Sequence, residues 1–92
     1  MDHPSLEQLN TRLDCAQASL LKVRSHYSRL PMTGAVTAQL ALVEQLLAVA
    51  LKMGTYMTML VEGYSKDLTD LVEVRDFCGL AEEMESELPP QK

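Results

Sequence analysis

Residues 6–30 read LEQLNTRLDCAQASLLKVRSHYSRL, and the spacing of their apolar members decides the fold. Leu6, Leu9, Leu13, Ala16, Leu20, Val23, Tyr27 and Leu30 follow one another at alternating steps of three and four. In a helix of 3.6 residues per turn these positions form one stripe, the kind that packs against a second helix. The outer face is polar: Glu7, Asn10, Arg12, Asp14, Gln17, Lys22, Arg24, Ser25 and Ser28. The segment therefore reads as an amphipathic helix over about 5–30. Ser5 followed by Gln8 is a capping box, with Pro4 just before it. At the far end Pro31 withholds a backbone donor and disfavours helical geometry at Leu30.

Pro31-Met32-Thr33-Gly34 marks a tight reversal, with Thr33, or later Thr37, as the cap of a second helix expected over 34–64. This helix carries two apolar seams. The first is Val36, Leu40, Val43, Leu47, Ala50, Gly54, Met57, Val61, Tyr64, Leu68, Leu71, and the second is Leu42, Leu46, Val49, Met53, Tyr56, Leu60. One helix covers one seam, so the second calls for another partner, whether the C-terminal segment, a second copy of the chain or a different protein, since soluble monomers rarely leave a large apolar patch open. Ala50 and Gly54 form a small-xxx-small pair that would allow close helix approach. A third helical segment is expected over 66–86, ahead of an acidic, frayed tail at 87–92. The three/four spacing runs through Gly63-Tyr64-Ser65 without a phase shift, so a single helix over 35–78 is the competing expectation.

Composition agrees with an all-α chain. Leu, Ala, Val and six Met supply the apolar mass, there is no Trp, and aromatic residues make up only 4%. Ninety-two residues allow one domain, and a core this size favours oligomerisation as a source of stability. The expected architecture is an antiparallel helical hairpin with a third C-terminal helical segment, in an oligomeric, coiled-coil-like bundle. The net charge of −5 is concentrated in residues 67–92, which hold eight acidic and two basic side chains. With no basic stripe, nucleic acid and anionic membrane surfaces are disfavoured as partners. Met1-Asp2-His3-Pro4 has no basic or apolar signal-like pattern. The apolar stretch 38–61 is interrupted by Gln39, Glu44, Gln45 and Lys52, which argues against a membrane span. The expectation is a soluble, cytoplasmic chain.

No constellation of catalytic residues stands out. His26 has Lys22, Val23, Arg29 and Leu30 at helical neighbour positions, so no local metal site or dyad forms around it. His3 offers only the chelation common to any third-position histidine. The acidic cluster Glu82, Glu83, Glu85, Glu87 and the pair Asp67, Asp70 lack a calcium-loop pattern and read as a solvated face or tail. Cys15 and Cys78 fit no metal spacing and read as small fillers, or as a disulfide pair in an oxidising setting. Met53, Met57 and Met59 suit either a core or an adaptable groove. Neither enzyme activity, a metal nor a cofactor is expected.

The segments Leu6-Glu7-Gln8-Leu9, Thr11-Arg12-Leu13 and Gln39-Leu40-Ala41-Leu42-Val43-Glu44-Gln45, joined by a tight turn, resemble the small helical-hairpin co-chaperones of bacterial type III secretion needles. The resemblance covers about residues 5–60. It implies a hairpin that binds a larger helical-repeat chaperone and helps keep a needle subunit from polymerising. The more apolar second helix and the acidic C-terminal segment depart from that pattern. The functional expectation is a protein–protein interaction module, an adaptor or chaperone subunit. Its partner, a second copy or a larger helical protein, would pack on Leu42, Leu46, Val49, Met53, Tyr56, Met57, Leu60 and Tyr64. An apolar-ligand-binding bundle and a structural homo-oligomer need the same helix faces and remain open.

Overall fold

The computed structural model describes residues 6–89. The capping residue Ser5, together with Pro4, His3 and the last residues 90–92, lies outside that range. The described residues form three helices and no strand: α1 (Leu6–Ser28), α2 (Gly34–Val61) and α3 (Leu71–Ser86). The chain is all-α and its first two helices make a hairpin. α1 ends in two tightened turns, Arg29 N–H donating to His26 and Leu30 N–H to Tyr27, before Pro31. Thr33 caps α2, its hydroxyl accepting the Val36 N–H at 3.2 Å.

α1 lies between the other two helices, packing against α2 and against α3. Its predicted stripe is the core: Leu13, Ala16, Leu20 and Val23 are buried, and Leu6, Leu9 and Tyr27 pack at the edges. α2 contributes Val43, Leu47, Ala50, Met57 and Leu60, and α3 contributes Val74, Phe77, Cys78 and Ala81. Burying such side chains stabilises by about 1.5–3 kcal/mol for each large aliphatic or aromatic one. The molecule is elongated, with axes of 47 × 24 × 17 Å. α2, at 28 residues, spans about 42 Å, whereas the 16 residues of α3 span about 24 Å. No arrangement of α3 could cover all of α2.

The continuous helix over 35–78 does not form, and α3 starts at Leu71 rather than at 66. Gly63 is the reason. It sits at φ +83°, where other residues are strained. Tyr64 N–H donates to Met59 and Gly63 N–H to Leu60, the paired bonds of a Schellman stop. The chain beyond is organised locally. The Asp67 carboxylate accepts from the Thr69 N–H at 3.0 Å and from the Thr69 hydroxyl, which holds its pKa below the usual carboxylate range. Seam periodicity does not register such a stop, because a phase can survive a break by accident of spacing.

The acidic C-terminal run is more than a solvated face. Arg12 grips Glu82 in a bidentate pair, both bonds at 2.8 Å. Glu85 accepts from the Ser19 hydroxyl and, at 3.0 Å, from Lys22 Nζ. These bonds fix α3 alongside α1 and running parallel to it. The Arg12 fork lowers the pKa of Glu82, and the Ser19 hydroxyl with Lys22 lowers that of Glu85. Arg12 and Glu82 are both more than a third exposed, so water screens their pair and its stabilising effect is small.

Two outcomes follow from these contacts. Gly63→Ala meets no neighbouring atom but must adopt a positive φ, and should destabilise the fold by about 1 kcal/mol in urea denaturation. A carboxylate whose pKa is lowered on folding stabilises above its unfolded value, about 4.3 for Glu, and that contribution is lost as pH falls further. The urea midpoint should therefore decline as pH drops below about 4.3. In the Glu82→Gln/Glu85→Gln double variant the midpoint should be lower at pH 7 and the decline shallower. An unchanged slope in that variant would show that the two carboxylates do not link α3 to pH.

Candidate partner-binding surface

The eight seam residues predicted to meet a partner divide into three groups. Met57 is fully buried and Leu60 nearly so, both in the chain's own core. Both belong to the core cluster, Met57 on the seam that faces α1, so neither residue is open to a partner. Tyr64 is 76% exposed, but it stands past the end of α2 in the connection, not on a helix face. The remaining five, Leu42, Leu46, Val49, Met53 and Tyr56, stay together along α2.

Within that group the burial is uneven. Tyr56, Met53 and Leu46 are half-buried against the core. Leu42 and Val49, to either side of Leu46 in the chain, are 43% and 37% exposed. Between α2 and the start of α3 lies a shallow groove of about 210 Å³, lined by Val49, Lys52, Met53, Tyr56, Asp70, Glu73 and Val74. Its floor is apolar, and its rim carries two carboxylates and one ammonium. A helix laid along it would extend the coverage that α3 begins.

Tyr56 has a second task that periodicity does not register. Its hydroxyl donates to the Asp67 carbonyl at 2.8 Å and accepts the Asp70 N–H at 3.2 Å. One side chain of α2 thus ties both ends of the segment leading into α3. Asp70 is the residue before that helix, and its own side chain makes no capping bond.

Elsewhere the described residues offer little chemistry. No group of three His, Cys, Asp or Glu among them could hold a metal ion. Cys78 is buried, which pushes its thiol pKa up and makes it a poor nucleophile, while Cys15 is exposed on α1. A depression of about 400 Å³ between α1 and the end of α3 is lined by Lys22, Ser25, His26, Arg29, Glu85, Leu88 and Pro89. His26 packs edge-on against Tyr27, ring centres 5.2 Å apart. By length and composition α2 could also cross a membrane, a test that the core helix of a soluble protein passes equally.

Tyr56→Phe keeps the ring and removes both hydroxyl bonds. It should cost about 1 kcal/mol and deprotect the Asp70 amide in hydrogen exchange before the helices themselves open. Unaltered Asp70 protection would mean that the hydroxyl does not anchor the connection. Compared with known proteins, the chain matches no family model, no curated protein and no solved structure.

Proposed function

We propose that this chain is a non-enzymatic protein–protein interaction module that buries the open part of α2 against a helix of a partner. The observation that carries this reading is the uncovered half of the second seam, Leu42 and Val49 exposed beside half-buried Leu46 and Met53. Apolar burial supplies about 25 cal/mol per Å² of driving force before the cost of association. Exposed Leu and Val in register with a groove are a helix-in-groove surface, read by anchors at three- and four-residue steps. In this reading the protein works in the cytoplasm without a cofactor, as an adaptor or as a small chaperone subunit. The narrower form is a co-chaperone of the type III secretion kind, in which a larger helical protein sits on α2.

The full-length chain, tagged and expressed in its own cells, should retain a stoichiometric protein partner. Val49→Asp should weaken that retention by about tenfold or more, because a carboxylate would be desolvated on the groove floor. Val72→Asp, the same chemistry at another exposed apolar site on α3, should leave it intact. Equal retention by the Val49 variant and the wild type would overturn the groove as the binding surface.

A further inference from the structure

α2 has a third face, centred on Ala48 about 100° round the helix from Val49 and sharing Lys52 with the rim of the Val49 groove. Only Glu44 and Lys52 are charged among the residues of Gly34–Val61. Both lie on this outer face with Ala41, Ala48, Thr55 and Met59, at steps of three and four, and all six are exposed. Leu51 flanks them, 64% exposed, and Met59 is 43% exposed. α1, by contrast, turns Glu7, Asp14 and Lys22 to solvent. The face thus sets one acid and one base among small and apolar side chains.

The arrangement of the two charges selects the occupant. Glu44 and Lys52 stand four residues to either side of Ala48, and Ala41 and Thr55 stand seven to either side. When two copies of α2 lie antiparallel with the two-fold axis at Ala48, each Glu44 meets the other copy's Lys52, and each Ala41 meets Thr55. A two-fold contact must be self-complementary, and this face satisfies that condition in sign and in size. We infer that the outer face of α2 is a homodimer surface, two copies packing antiparallel about Ala48 with two reciprocal Glu44–Lys52 pairs. The small side chains permit the approach, and the charges set its direction and register.

The charges are available for this. Glu44 makes one contact, through Oε2 to Arg24 at 3.4 Å, with both side chains well exposed. Lys52 borders the groove that Asp70 and Glu73 line, yet makes no ion pair among the described residues. The Thr55 hydroxyl is already satisfied by the Leu51 carbonyl at 3.2 Å, so its burial leaves no orphan donor.

The test uses the full chain and light scattering over a dilution series, with circular dichroism confirming unchanged helix content. Wild type should have the mass of a dimer. Glu44→Lys and Lys52→Glu each place like charges opposite one another, and should weaken dimerisation by about tenfold or more. An equimolar mixture of these two variants should dimerise again. One variant then carries a lysine at both positions and the other a glutamate at both, so opposite charges meet on both sides of the axis. Val49→Asp leaves Glu44 and Lys52 in place and should remain dimeric, and Glu44→Lys lies outside the groove lining, so these two variants separate loss of groove binding from loss of the dimer. A wild-type monomer, charge variants that dimerise like wild type, or a mixture that stays monomeric would each overturn the proposal. A chain that instead partitions onto lipid vesicles through α2 would overturn it as well.

Discussion

The stripe on α1 is the constraint on which the rest of the structure depends. Leu13, Ala16, Leu20 and Val23 are buried by two helices at once, since α2 and α3 each pack on α1 and scarcely on each other. A helix shared in this way holds the fold together while leaving its two partners incompletely covered. α2 bears the consequence, because it is the longest and most apolar of the three. The short Pro31–Thr33 turn sets it antiparallel to α1, where one flank is satisfied. Its other flanks extend beyond the reach of the shorter α3. The open surface of α2 is thus a result of helix length.

Much of this was legible in the residues. The α1 stripe appears in the structure from Leu6 to Tyr27, because a sustained three/four repeat has no competing interpretation, while Leu30 lies past the helix end and is exposed. The Pro31–Gly34 reversal and the Thr33 cap were equally readable, each resting on local backbone chemistry. The end of α2 was harder. Gly63 signals a stop only when its φ is known, and the apolar spacing beyond it happens to stay in phase. The exposure of the second seam was half legible. Leu42, Leu46, Val49 and Met53 form a surface seam, but which of the seam residues stay open depends on where α3 lies. Met57 and Leu60 are taken into the core by contacts made across the chain, and periodicity carries no information about those.

Electrostatics followed the same division. An acidic run between residues 82 and 87 reads as solvated when only its neighbours are considered. Its role emerges from partners on α1 some 63 to 70 residues earlier, where Arg12, Ser19 and Lys22 project along the helix flank. α3 has a short apolar face, Val74, Phe77, Cys78 and Ala81, and no capping side-chain bond at its start. The hydroxyl of Tyr56 and the two carboxylates at the far end therefore locate a helix whose own propensity and burial are modest. Gly79 lies in its interior, where glycine lowers helix stability by about 1 kcal/mol relative to alanine.

A chain of 92 residues has a narrow stability margin, and covering α2 would widen it. Anything that binds the folded state and not the unfolded one stabilises by mass action, in proportion to the logarithm of its concentration over its dissociation constant. The two uncovered faces of α2 differ in what they ask of a partner. The Leu42–Val49 face needs apolar anchors and discriminates mainly by shape. The outer face, with one acid and one base, discriminates by register, because a shift of one residue along the helix would rotate Glu44 away from Lys52 by about 100°. Shape selection tolerates varied helices, whereas charge register admits few. With both faces occupied as proposed, a single helix would hold one fixed partner and one exchangeable partner, and its length is what would leave room for the two.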